Sequence, residues 1–87
     1  MAEIKIYTKS TCPACDMAKK ILSEKGAEYT ELCMDDKPEE LNQLKARTGL
    51  QTVPQIFING EMIGGCSDLM KLDEDKKLDP MLQIQPE

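Results

Sequence analysis

The stretch from Gln55 to Gly65, QIFINGEMIGG, holds two apolar runs joined by Asn59-Gly60, the pair that a two-residue type I′ turn prefers. Such a turn commits this part of the chain to an antiparallel hairpin, and a lone hairpin is not stable in water. The rest of the chain has to supply further strands or a helix packed against it. Glu3 to Tyr7, EIKIY, alternates Ile4 and Ile6 with charged neighbours, the period of a half-buried strand. Pro13 suits a first helical position; Met17, Ala18, Ile21 and Leu22 then share one helical face, and Gly26 suits the stop after it. Residues 28–33, EYTELC, read as a second strand. DDKPEELNQLKARTG gives a second helix, with Pro38 near its start, Glu39 and Glu40 in its first turn and Gly49 past its end. After the hairpin, CSDLMKLDED starts a short helix, and LDPML closes with a last turn or two. The order is β-α-β-α-β-β-α, with no repeat, linker or low-complexity segment. A parallel first βαβ unit with a right-handed crossover, joined by an antiparallel hairpin, makes an α/β fold. We read residues 1–87 as a single domain.

At 87 residues the chain is near the lower limit for a useful core without staples. Apolar residues make up 40% and charged ones 31%, a balance that suits a globular chain and not a disordered one. Tyr7, Tyr29 and Phe57 are the only aromatics, so the core must be built from Leu, Ile, Val and Met. Sixteen acidic against 11 basic residues give a net charge of −5, which argues against nucleic acid as a partner. The opening MAEIKIYTKS has no apolar leader, and no apolar run is long enough to span a bilayer. We therefore expect a cytoplasmic protein with no membrane partner. In a reducing compartment four cysteines are poor candidates for two structural disulfides; reactive or metal-bound thiols are the better readings.

Cys12-Pro13-Ala14-Cys15 falls where the first strand hands over to the first helix. Cys12 would occupy the N-cap, facing unpaired N–H groups and the positive end of the helix dipole, which favour a thiolate. Lys9 adds a nearby positive charge. Cys15, one turn in, would be less exposed and placed to attack a mixed disulfide formed on Cys12. Three readings compete: a redox couple, half of a metal site, or two inert buried thiols. A zinc site wants a second ligand pair, yet the chain has no histidine, and Cys33 and Cys66 stand alone. The βαβ context and the internal proline favour redox chemistry, and we expect no metal.

Two further motifs point the same way. In QTVPQIFI, Pro54 stands just before an apolar strand, where proline ordinarily breaks pairing. A cis Val53–Pro54 bond would turn the Val53 N–H and C=O out of the sheet; an ordinary trans proline at a strand start is the plainer alternative. In GGCSDL, Gly64 and Gly65 permit a tight turn, after which the N–H groups of Cys66, Ser67 and Asp68 could hold a carboxylate. Its plainer alternative is a simple N-cap at Ser67.

Taken in order, TCPAC, TVP and GGCSDL resemble a glutaredoxin, and the likeness runs from about Ile4 to Leu82, including LDPML. The resemblance implies a thioredoxin fold with a four-stranded mixed sheet flanked by helices. It implies a glutathione-dependent thiol–disulfide oxidoreductase that reduces protein disulfides and glutathionylated proteins. Glutathione is then a co-substrate, with no tightly bound cofactor, and we expect a monomer. By position, Cys12 is the nucleophile and Cys15 the resolving thiol. Lys9 would face the glycine carboxylate of glutathione. Thr52 and Val53, before Pro54, would align its backbone like an added strand. Cys66, Ser67 and Asp68 would receive its γ-glutamyl carboxylate, which makes Cys66 a wall of the site and not a second redox thiol. Two positions depart from the family pattern: Ala14 replaces the usual aromatic, and Asp16 stands where a basic residue or histidine is common.

Overall fold

The computed structural model describes residues 3–82. The chain runs β1 (Ile4–Thr8), α1 (Pro13–Glu24), β2 (Thr30–Cys33), α2 (Pro38–Thr48), β3 (Gln55–Ile58), β4 (Glu61–Gly64), α3 (Cys66–Glu74) and a single turn, α4 (Leu78–Met81). The four strands form one mixed sheet in the order β2-β1-β3-β4. β1 pairs with β2 in parallel, and β3 pairs with both β1 and β4 antiparallel. The expected hairpin is present: Asn59 and Gly60 have φ of 53° and 80°, the two positive values that a type I′ turn requires. The turn is fastened to β1, since the Asn59 N–H donates to the Glu3 carbonyl at 2.7 Å and the Asn59 side chain accepts the Glu3 N–H at 2.9 Å.

Alternation along the strands divides the core. Ile4 and Ile6 of β1 with Ile56 and Ile58 of β3 face α1, α3 and α4, where Ala18, Leu22, Leu69, Leu78 and Leu82 complete a buried aliphatic cluster. On the other face, Tyr7, Leu32 and Phe57 pack beside Met34 and the α2 residues Leu41 and Leu44. Tyr7 and Phe57 meet edge to face, with ring centroids 5.7 Å apart, a favoured aromatic geometry. Helix α1 ends as its sequence indicates: the N–H groups of Gly26 and Ala27 close onto the carbonyls of Ser23 and Leu22, with Gly26 at φ 71°. That arrangement is a Schellman motif. Lys25 at this end bridges Asp73 of α3 and Asp79 of α4 at 2.6 and 2.8 Å.

Two expectations need correction. Met17 does not join the buried face of α1; it is 47% exposed, and the stripe facing the sheet is carried by Cys15, Ala18 and Leu22. The 3.6-residue period places Cys15 three positions before Ala18 on that stripe and leaves Met17 beside it. The second strand starts at Thr30 and not at residue 28, because the parallel register with β1 begins where Thr30 meets Lys5. Among the described residues no helix is long and apolar enough to cross a membrane.

Candidate active site

β1 delivers the chain to the rim of the sheet, and residues 9–11 carry it to the first turn of α1. Cys12 is the N-cap, extended at φ −140° and ψ 96°, with Pro13 following at the first helical position. Its sulfur takes the place of the oxygen in an ordinary cap, accepting the Cys15 N–H at 3.0 Å. Cys12 is half-buried and Cys15 fully buried. The two are joined as a disulfide with Cα atoms 5.1 Å apart, inside the usual range for such a bond.

Two other segments meet this helix start. The Val53–Pro54 bond is cis, and the Val53 carbonyl oxygen lies 3.6 Å from the Cys12 sulfur. Thr52 is exposed, Val53 half-buried and Pro54 buried. The Pro54 carbonyl in turn lies against Gly65, whose position would set a Cβ 3.6 Å from that oxygen. Gly65 is the N-cap of α3 and Cys66 its first residue, so the plainer alternative of a cap at Ser67 is replaced. Asp68 reaches back to accept the Gly65 N–H at 2.9 Å. The buried Gly64 has φ 123°, and any side chain there would collide with the Asp68 carboxylate, so glycine is required on two counts. Ser67 is exposed and Cys66 half-buried. Burial pushes the Cys66 thiol up from its ordinary value.

Lys9 is exposed in the loop before Cys12. Its loop is anchored by Asp35, which accepts the Ser10 N–H at 3.1 Å. Hydrogen bonds from Ser10 hold the Asp35 carboxyl below its usual range, with smaller contributions from Cys33 and Lys9. Asp16 lies 3.6 Å from Lys19, which is itself gripped by Glu31 at 3.1 Å. Glu31 accepts the hydroxyl of the buried Thr8 at 2.7 Å. Asp35, Glu31, Thr8 and Gln55 are supporting residues that motif reading passes over. The available signal was a polar residue at an inward position of a strand, as Thr8 is in IKIYT and Gln55 in QIFI. Among the described residues no group of three or more Cys, Asp or Glu side chains is arranged to hold a metal ion.

A glutaredoxin family model matches residues 4–63. Glutaredoxin 3 of Escherichia coli K12 is 48% identical over 83 residues, covering 95% of this chain and all of that protein. A glutaredoxin of Pseudomonas aeruginosa is 43% identical over 82 residues, 94% of this chain and 98% of its own. Among solved structures, the buckwheat glutaredoxin–glutathione complex superposes with a TM-score of 0.89 at 35% identity, over 92% of this chain and 76% of that one. The solution structure of Brucella melitensis glutaredoxin gives 0.86 at 42% identity, over 97% and 91%. Because identity this high extends over a span that takes in the cysteine pair, the cis-proline loop and the start of α3 alike, the chain belongs to the glutaredoxin family.

Proposed function

We propose that this glutathione-dependent thiol–disulfide oxidoreductase works through Cys12 as the nucleophile and Cys15 as the resolving thiol. The carrying observation is the Cys12 sulfur at the head of α1, bonded by the Cys15 N–H at 3.0 Å and 3.6 Å from the Val53 carbonyl. A helix N-terminus and an amide donor favour a thiolate at that sulfur. The thiolate attacks the glutathionyl sulfur of a modified protein, the old S–S bond breaks, and the client leaves as its thiolate. A second glutathione thiolate then attacks the glutathione sulfur of the new mixed disulfide, releasing oxidised glutathione and restoring Cys12. With a protein disulfide, the Cys12 thiolate attacks one sulfur, the client S–S bond breaks and a Cys12–client mixed disulfide forms. Cys15, after losing its proton, attacks the Cys12 sulfur, breaks that mixed bond, frees the client as a dithiol and leaves the Cys12–Cys15 disulfide. Two molecules of glutathione return it to the dithiol.

Glutathione in this reading lies across the three converging segments. Lys9 faces its glycine carboxylate, and the main chain of Thr52 and Val53, held before Pro54, pairs with its backbone. The start of α3 at Cys66, Ser67 and Asp68 receives the γ-glutamyl carboxylate, where helix N–H groups point at the anion. The similar buckwheat glutaredoxin forms a complex with glutathione, which supports the assignment. We further read residues 1–87 as one glutaredoxin domain, acting as a cytoplasmic monomer with no tightly bound cofactor. The test is a pair of substitutions assayed with glutathione as the only reductant. Cys12→Ser abolishes all activity. Cys15→Ser retains reduction of a glutathionylated peptide and loses reduction of protein disulfides. Equal loss of both activities in folded Cys15→Ser refutes the division of labour.

A further inference from the structure

Gln55 opens β3, and its side chain is fully buried. A buried amide is tolerated only when its polar atoms are hydrogen-bonded, and here every partner lies in one stretch of chain. The Gln55 Nε2 donates to the Leu50 carbonyl at 3.0 Å and to the Thr52 carbonyl at 3.3 Å, which uses both of its protons. Its Oε1 accepts from the Thr48 hydroxyl at 2.8 Å. Thr48 ends α2, lies 3.0 Å from the Leu44 carbonyl, and accepts the Leu50 N–H at 3.2 Å. Residues 49–54 between α2 and β3 have no regular structure of their own. Their carbonyls at 50 and 52 are satisfied from beneath by one side chain. The next residue, Val53, is the one whose carbonyl faces the Cys12 sulfur.

We propose that Gln55 is a positioning residue for glutathione: its buried amide fixes the Leu50–Thr52 backbone and thereby the placement of the Val53 main chain against a disulfide on Cys12. This inference rests on the reading above that Thr52 and Val53 align glutathione. An apolar residue of similar size would fill the space but leave two carbonyls without donors, so the loop would move to find water. The thiol chemistry does not pass through Gln55, and its loss acts on binding.

The experiment compares the full chain with Gln55→Met, Gln55→Glu, Thr48→Val and Thr48→Ser, with a glutathionylated peptide as substrate and glutathione as reductant. Cys12 alkylation by iodoacetamide is read in parallel on the reduced proteins. Gln55→Met raises KM about tenfold, the equivalent of one lost buried hydrogen bond, while the alkylation rate stays within about twofold, since no charge has changed. Gln55→Glu points a carboxylate at two carbonyl oxygens and raises KM further. Its KM relative to wild type falls as pH drops, because a protonated carboxyl can donate to one of them; Gln55→Met shows no such recovery. Thr48→Val raises KM about threefold through loss of one partner, and Thr48→Ser restores it. If both Gln55 variants fail to fold, the Thr48 pair decides alone. An unchanged KM in folded Gln55→Met, or in Thr48→Val when that pair decides, means a merely structural role and overturns the inference while leaving the proposed function intact. A wild-type protein unable to reduce the glutathionylated peptide overturns the proposed function and this inference with it.

Discussion

Helices α1 and α3 each have a cysteine at their start, and the two sulfurs are placed differently. Cys12 is an N-cap: its sulfur stands outside the helix, accepts an N–H from the first turn and has Cys15 within bonding reach. Cys66 is one position further in, at the first helical residue, behind a glycine cap. No second thiol is joined to it, and burial pushes its thiol up. A helix dipole is present at both starts, so what separates the two is position: the Cys12 sulfur occupies the cap itself, where the N–H groups converge. The two starts are also held differently. Helix α3 is tied locally, by Asp68 to Gly65. Helix α1 is tied to the sheet through Asp16, Lys19, Glu31 and Thr8.

The sharpest way to break this comparison is to alkylate the reduced protein at neutral pH and map the products. The N–H groups at the helix start favour a thiolate at Cys12, while burial pushes the Cys66 thiol up, so Cys12 is modified much faster than Cys66. Comparable rates at the two positions would sink the contrast.

The local tie on α3 gives an intermediate effect. Asp68→Ala leaves the Gly65 N–H without its acceptor and costs about 1 kcal/mol of stability, as removal of a capping carboxylate does. Denaturant unfolding reads this directly, and an unchanged midpoint would mean that water replaces the carboxylate without loss.

The tie on α1 gives the smallest effect, visible through pH. Hydrogen bonds from Thr8 and then Lys19 hold the Glu31 carboxyl below its ordinary value of 4.5. A lowered folded value means the contribution is present above the unfolded value and is lost as pH falls through the folded one. Glu31→Gln is therefore less stable than wild type at pH 7, and the gap narrows below about pH 4. Because Glu31 is more than a third exposed, solvent screens the interaction and the gap stays small. A gap that is constant with pH would show that the carboxylate charge plays no part in holding α1.

Periodicity and turn chemistry by themselves determined most of the architecture. Ile4 and Ile6, Asn59-Gly60, Pro13, Gly26, Pro38 and Gly49 each carry their conformational preference in the residue itself, and each stands where that preference predicts. The cysteine pair was legible for the same reason, because a three-residue spacing within one helical turn brings two sulfurs together whatever else the chain does. Only the tertiary structure decided what depends on segments distant in sequence. The Val53 carbonyl meets Cys12 across 41 positions, and Glu31 meets Thr8 across 23. Asp16 is a plain departure from the family pattern in the sequence, and in the fold its charge is answered by Lys19. Gln55 reads as a polar residue at the head of an apolar strand until α2 and the loop after it are in place to receive its amide. A side chain's local preference is set by its own covalent structure, whereas its hydrogen-bond partners are set by which distant backbone groups the finished core leaves within about 3 Å.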